Sequence, residues 1–511
     1  MINPDIITKF SGPPGTGKST TLLNVVESLL SSGVDPEHIV YTTFTRAGAY
    51  EARDRACARF NLSPNRLPYF KTLHALCYSL LPSCDVMGPK DWAFLGTKLN
   101  LFFSNCGIGL DDGIMRLQTK GDILMSLWSL ARLTQSSLDQ VWAKRESYQG
   151  PEILRAEFDR FVEAAVAYKA AFGKIDYADM LEVWLKEGAD MNADYLIVDE
   201  AQDLSALQWA VVEKLARQAK QVWVAGDDDQ CIHEWNGAKP QHFIGLEART
   251  YTVLPQSYRI PASVHAVAQT IIGRVKERLP KEYKPREEVG LVRHITSLID
   301  APLKQGTWML LASTNAMLKE FEDHCQQIGC LYTSSNAEST ANLKAIEAIQ
   351  TWTKLSKQDE AVDAGRIKRL YPMMSQCNRV RRGFKTVLMK ENDGTLLTLK
   401  DLNERFGMVT PKEMTWHQAL DLMPKERADY LWFADHTGVF ARPIRIRIST
   451  IHGAKGKEAE HIVLNLALSK KGSNSATSHP DATHRAFYVG VTRAKQSLYL
   501  LASTNERAYR I

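Results

Sequence analysis

The segment GPPGTGKS, Gly12 to Ser19, follows the apolar run IITKF (6–10) and leads into an apolar-periodic stretch from Lys18 to Leu30. A GxxxxGK[ST] spacing between a strand and a helix constrains a fold more than any other feature here, because it belongs to parallel α/β sheets. Gly12, Gly15 and Gly17 let backbone N–H groups face phosphate oxygens without a Cβ in the way. Thr16 completes the loop and Thr20 follows it. Lys18 is expected to reach the β/γ-phosphates and Ser19 to ligate Mg²⁺, with the positive end of the following helix dipole beneath them.

Such a loop needs an acidic partner, and YLIVDEAQD supplies one where an apolar strand ends at Asp199 and Glu200. Asp199 suits a hard cation shared with a triphosphate, and Glu200 suits the orientation and activation of an attacking water. Together the two segments point to nucleoside triphosphate hydrolysis.

The remaining strand signals repeat this rhythm. IVYTTF (39–44), QVWVAG (221–226), RTYTVL (249–254), WMLLAS (308–313), IRIRIST (444–450), HIVLNLAL (461–468) and SLYLLA (497–502) all read as strands. GDILMSLWSLARL (121–133) and AEFDRFVEAAVAYKAAF (156–172) read as helices inside a first insertion, and LKAIEAIQTWTKL leads into a second. We therefore expect an α/β fold of two parallel sheets, each interrupted once. Residues 1–85 and 171–252 form the first core, 86–170 a helical insertion, 253–345 and 446–511 the second core, and 346–445 a small basic insertion.

At 511 residues the chain is long enough for about three to four domain-sized units, and 44% hydrophobic with 24% charged residues describes a folded protein. The balance of 63 Lys and Arg against 58 Asp and Glu permits an anionic partner without demanding one, so local clusters must decide. Arg366 to Lys390 holds eight basic residues and no acid, which reads as a phosphate-facing patch or a solvated basic face. Arg46, Arg53, Arg55 and Arg59 gather after TFT, and RPIRIRI sets Arg445 and Arg447 on one strand face, which is either a further phosphate-facing candidate or equally the exposed side of an edge strand. The eight cysteines form no CxxC pair and read as reduced thiols. With no secretory leader pattern and no apolar run long enough to span a bilayer, an intracellular, cytoplasmic location is expected.

Taken in order, GPPGTGKS, TFTRAGAYEA (43–52), TLH (72–74), DYADML (176–181), IVDEAQD (197–203), GDDDQCIHEWNGA (226–238), PQSYR (255–259), STIHGAKGKEAEHIVL (449–464) and RAFYVGVTRAK (485–495) resemble the UvrD/Rep-type DNA helicases of superfamily 1. The resemblance implies two RecA-like cores with ATP in the cleft between them and single-stranded DNA across the top. It implies that Arg259 and Arg493 reach the γ-phosphate from the second core, that Gln230 senses that phosphate, that Tyr258 stacks on adenine, and that Glu458 contacts the ribose. Packing in the core is the plain alternative for Tyr258, a solvated helix end for Glu458, and surface ion pairs for the arginines.

Phe44, Thr72, His74 and Trp235 fall where the family meets single-stranded DNA; core packing rivals that reading for Phe44, which ends an apolar strand. The activity implied is an ATP- and Mg²⁺-dependent DNA helicase or translocase moving 3′ to 5′. Its partners would be single-stranded DNA, single-strand/duplex junctions and replication or repair proteins, and its core a monomer. Two alternatives stay open: a translocase that strips proteins from single strands without unwinding alone, and an ATP-gated loading module.

The chain also departs from the family. Its loop begins at Gly12, so an upstream adenine-recognising glutamine segment is not expected, and Thr20 stands where relatives often carry an adenine-packing Arg. The second insertion is short. The run Asp227, Asp228, Asp229 reads as turn and helix-capping acceptors, with pairing to a basic residue or a metal role as alternatives.

Overall fold

A computed structural model describes residues 2–82, 84–104, 119–145, 151–189, 191, 193–335, 337–374, 379–421, 431, 444–503 and 507–511. They divide into two compact units, residues 1–290 with 474–492 and 511, and residues 291–473 with 493–510.

The first unit is built on a six-stranded sheet of β1 (Ile7–Ser11), β2 (Ile39–Thr42), β3 (Phe70–Lys71), β4 (Tyr195–Val198), β5 (Gln221–Gly226) and β6 (Thr250–Val253) in the order β3-β2-β4-β5-β1-β6. Every pairing in it is parallel. β2 and most of β4 are buried, as apolar strands covered on both faces must be. One face carries Leu22, Leu23 and Val26 of α1 (Lys18–Ser31) and Ala52 and Ala56 of α2 (Arg46–Phe60). The other carries Leu73 and Leu76 of α3 (Leu73–Leu80) together with Leu181, Trp184 and Trp209.

The first insertion is helical, with α4 (Pro89–Leu99), α5 (Lys120–Leu133), α6 (Leu138–Trp142) and α7 (Arg155–Phe172) around a separate core of Trp92, Leu127, Trp128, Phe158 and Phe161. Part of the predicted insertion, residues 105–118 and 146–150, lies outside the described residues.

Charge ties this insertion to α8 (Tyr177–Glu187). Arg132 donates to Asp176 at 2.7 Å, to Glu182 at 2.7 Å and to Asp179, while Lys169 donates to Asp176 at 2.8 Å and to Asp179 at 2.6 Å. The two aspartates of DYADML thus anchor the insertion, and they also form the capping box of α8.

The second unit has the same plan. β7 (Leu291–Ile295), β8 (Trp308–Ala312), β9 (Tyr332–Ser334), β10 (Ile446–Thr450), β11 (Ala459–Asn465) and β12 (Ala494–Leu501) form a parallel sheet in the order β9-β10-β8-β11-β12-β7. Its core runs through Trp308, Leu310, Phe321, Trp352, Ile446, Ile448 and Val463. Both units are RecA-like cores, each interrupted by an accessory insertion.

The structure revises the domain bounds and bears on two further readings. The stretch 253–290, assigned from sequence to the second core, packs in the first unit, because β6 pairs with β1 and the chain beyond it bonds to the phosphate loop; residues 474–492 join it there. β10 lies inside its sheet, between β8 and β9, so Arg445 and Arg447 do not mark an edge strand. Within the basic run, Arg366 pairs with Asp363, Arg369 with Glu347 and Lys368 with Asp393, all carboxylates from outside the run, while Arg381, Arg382 and Lys390 are exposed. Residues 375–378 of that run, and 422–430 and 432–443 of the same insertion, lie outside the described residues.

Among the described residues no helix is long and apolar enough to cross a membrane. Replacing Arg132 with Met removes the cation from Glu182 and leaves Asp176 and Asp179 to Lys169 alone, so the variant should lose about 3 kcal/mol in urea unfolding. A midpoint equal to wild type would show that the network does not anchor the insertion.

Candidate nucleotide and nucleic-acid site

Parallel α/β sheets place ligands beyond the C-terminal ends of their strands, and the predicted residues of the first unit gather there after β1, β4 and β5. The phosphate loop is closed by Gly12 N–H donating to Gly226 O at 2.9 Å and by the Thr16 hydroxyl donating to Pro13 O at 2.8 Å. Lys18 Nζ donates to Gly12 O at 2.8 Å and lies 4.0 Å from Glu200. The Ser19 hydroxyl donates to Asp199 Oδ2 at 2.8 Å.

At Gly15 the backbone has φ +75°, and a Cβ there would fall 2.4 Å from the Arg259 Cβ. Only glycine avoids both the left-handed penalty and the collision.

That near-collision locates the PQSYR segment. The Ser257 hydroxyl donates to Pro14 O at 2.8 Å and the Tyr258 amide donates to Gly15 O at 2.8 Å. Tyr258 and Arg259 therefore lie beside the phosphate loop within the first unit, not on the second core where sequence had assigned them. The Tyr258 ring is 73% exposed, so packing in the core is not its role. Thr20, in the first turn of α1, accepts from the Arg55 guanidinium at 3.0 Å.

Asp199 and Glu200 end β4 differently. Asp199 is buried, its amide donating to Thr42 O at 2.8 Å, and the Tyr41 hydroxyl donates to its Oδ2 at 3.0 Å. Burial pushes the Asp199 carboxyl up, the Glu200 carboxylate adds to this, and Lys18 with the Ser19 hydroxyl opposes it. Ser19 and Asp199 are hard oxygen donors in a desolvated place, a set that fits a divalent cation. Glu200 adopts φ +52°, a left-handed conformation uncommon outside glycine, which turns the chain sharply after the strand. Gln202 Nε2 donates to Glu200 at 2.6 Å, and Gln202 Oε1 accepts from the Asp227 amide at 2.9 Å.

Gln202 thus joins the end of β4 to the aspartate run after β5. Asp227 caps the short turn Asp228–Gln230, accepting from the Asp229 amide at 3.3 Å, so the capping expectation describes part of its work. Its Oδ2 also accepts from Gln230 Nε2 at 2.7 Å.

All three carboxylates converge on one cation. Lys281 Nζ lies 3.2 Å from Asp227 and 3.1 Å from Asp229 and also bonds Asp228, with its side chain 1% exposed. Arg278 forks onto Asp229 at 2.8 and 2.6 Å, and the Leu279 amide donates to Asp228 at 2.9 Å. Burial works to lower the Lys281 pKa, but the three carboxylates overturn it and hold the ammonium charged. The aspartates' oxygens face protein cations, which removes the metal alternative.

The helix Pro480–Val491 completes this side: Arg485 donates to Glu277 O at 2.6 Å and pairs with Glu234 at 3.4 Å, and the Tyr488 and Tyr283 hydroxyls meet at 3.2 Å.

The expected DNA residues divide. Phe44 is buried and stacks on His233 with centroids 5.1 Å apart, and His233 meets the half-buried Trp235 edge-on at 6.1 Å. Phe44 and Trp235 thus belong to one aromatic row with His233 between them. Thr72 is buried and caps α3, accepting from the Ala75 amide at 3.3 Å, while His74 is buried edge-on to Tyr177. In the second unit, Glu458 pairs with Lys495, and Arg493 is buried with its guanidinium 3.5 Å from Lys457 O.

Sequence reasoning missed Tyr41, Gln202, Ser257, Arg278 and Lys281. Gln202 stood inside a quoted motif, and Tyr41 was visible as a polar-tipped residue in an apolar strand. Lys281 and Arg278 carried no local signal, since about fifty residues separate them from the aspartates.

Fold and site together define a phosphate-loop α/β protein with two RecA-like cores. Residues 3–236 match the AAA domain family, and residues 277–505 match the UvrD-like helicase C-terminal domain. The chain is 28% identical over 291 residues to the ATP-dependent DNA helicase PcrA of Leuconostoc citreum, covering 52% of this chain and 37% of that protein. It is 26% identical to the ATP-dependent DNA helicase Rep of Salmonella typhimurium over 51% of this chain and 40% of Rep. To the ATP-dependent DNA helicase UvrD2 of Mycobacterium tuberculosis it is 23% identical, covering 95% of this chain and 75% of UvrD2. The chain is thus similar to helicases of the UvrD/Rep type, while spanning about two fifths of the length of PcrA and Rep.

Replacing Lys281 with Met leaves three buried carboxylates without their shared cation. Chemical unfolding should show a loss of about 3–5 kcal/mol. Adding Asp228→Asn should recover part of it, and stability unchanged by Lys281→Met would refute the cluster's role.

Proposed function

We propose that the chain is an ATP-dependent DNA helicase of this type, translocating 3′ to 5′ on single-stranded DNA. The observation that carries the reading is the continuous chain of contacts from Lys18 and Ser19 through Asp199, Glu200, Gln202 and Asp227 to Gln230, with Trp235 five residues further on.

In this reading the backbone of Gly12, Gly15, Thr16, Gly17 and Thr20 surrounds the phosphates, and Lys18 neutralises them. Tyr258, exposed beside the loop, offers its ring to the base, and Glu458 serves the ribose. Ser19 and Asp199 hold Mg²⁺, which when bound offsets charge on the triphosphate oxygens. Glu200 accepts the proton of the attacking water, Arg259 and Arg493 offset charge developing on the transferred phosphoryl group, and Gln230 reports its presence. Trp235 and its aromatic row supply faces for bases, Thr72 a hydroxyl for phosphate, and His74 a further ring. The resemblance to the family supports the polarity and the roles of Glu458 and Arg493. Replication or repair proteins and strand junctions are the partners proposed with it.

The test compares ATP turnover with and without single-stranded DNA in wild type and Glu200→Gln. DNA should stimulate wild type, and the variant should lose about 100-fold or more in turnover while still binding nucleotide. No stimulation by DNA, or an active Glu200→Gln, would overturn the proposal. Unwinding of a 3′-tailed but not a 5′-tailed duplex tests the polarity, and stimulation without any unwinding would favour the protein-stripping translocase.

A further inference from the structure

We propose that Tyr41 is a positioning residue for the divalent cation of the nucleotide site, acting through Asp199; the inference rests on the nucleotide-site reading above. Tyr41 lies in β2, where its backbone pairs with Ile197 of β4, two residues before Asp199. Its side chain is fully buried, and its ring stacks on Phe70 with centroids 5.1 Å apart and planes 17° from parallel.

A phenylalanine would satisfy all of that packing. The added hydroxyl brings a desolvation cost that only a partner offsets, and the partner here is a carboxylate. The phenol donates to Asp199 Oδ2 at 3.0 Å, the oxygen that Ser19 Oγ also reaches at 2.8 Å. Asp199 Oδ1 accepts from the Glu200 amide at 2.9 Å, and the Asp199 backbone is fixed to Thr42 O at 2.8 Å.

The carboxylate is therefore held at both oxygens and at its backbone, and Tyr41 grips it from inside the sheet, opposite in origin to the phosphate loop. A donor on a rigid, stacked ring fixes the direction in which the remaining lone pairs of Asp199 point. Tyr41 does not itself touch nucleotide in this account; its effect passes through Asp199.

The discriminating variant is Tyr41→Phe, which keeps the ring and its stack on Phe70 and deletes one oxygen. Mn²⁺ serves as the probe, its affinity read from the electron paramagnetic resonance of the free ion in the presence of a non-hydrolysable ATP analogue. Metal-free binding of the same analogue and thermal unfolding are measured alongside, with Asp199→Asn and Phe70→Leu as companions.

Tyr41→Phe should weaken Mn²⁺ binding by about three- to tenfold while metal-free analogue binding stays at the wild-type level. Phe70→Leu, which loosens the same stack but spares the hydroxyl, should leave Mn²⁺ affinity near wild type. Unchanged Mn²⁺ affinity in Tyr41→Phe, an equal loss of metal-free analogue binding, or an equal Mn²⁺ loss in Phe70→Leu would each overturn the inference. If Asp199→Asn also binds Mn²⁺ like wild type, the nucleotide-site reading fails with it; if Asp199→Asn alone loses Mn²⁺, only the role of Tyr41 fails.

Discussion

Lys281 carries its charge into a place almost free of water, and Asp227, Asp228 and Asp229 stand there to receive it. Neither side of this arrangement is tolerable alone. Three adjacent buried carboxylates repel one another, and a buried ammonium without counter-charge would shed its proton. With Arg278 forked onto Asp229, two cations face three anions, and the segment 278–281 is fixed against the turn after β5. The turn has a set shape because its acids are spoken for, and the position of Gln230 follows from that shape.

This order runs in two directions through the first unit. Asp227 holds the Gln230 amide, and its own backbone is held by Gln202, which also bonds Glu200 beyond β4. Glu200, Asp199 and Ser19 then lead into the phosphate loop. In the other direction the same chain segment runs on to His233, stacked on Phe44, and to Trp235. A shift in any one of these groups disturbs the hydrogen bonds of the next, which is the physical requirement for linking what happens at a nucleotide to what happens at an aromatic surface.

The parallel-strand plan was legible in the sequence because buried strands leave nearly continuous apolar runs, as in QVWVAG and WMLLAS. Two edge strands were not, although RTYTVL gave the edge strand β6: β7, LVRHI, is largely exposed and carries Arg293 and His294, and β3 is two residues long. The phosphate loop and Asp199–Glu200 were readable because their chemistry is local in sequence. The partners of the aspartates were hidden by chain distance, and the placement of Tyr258 and Arg259 by a segment that leaves β6 yet stays beside the phosphate loop. The pairing inside the basic run was hidden for a related reason. Its window held no acid, but Asp363, Glu347 and Asp393 reach it from outside.

The central claim is that the aspartate turn transmits between nucleotide and nucleic acid, and Asp227 is where the two halves meet. The most direct measurement is the ratio of DNA-stimulated to basal ATP turnover in Asp227→Asn, which keeps the shape of the side chain and leaves Asp228 and Asp229 to hold Lys281. The account predicts that this ratio falls by about tenfold, a coupling loss of about 1.4 kcal/mol, while basal turnover stays within about twofold of wild type. An Asp227→Asn protein with a wild-type ratio would contradict it.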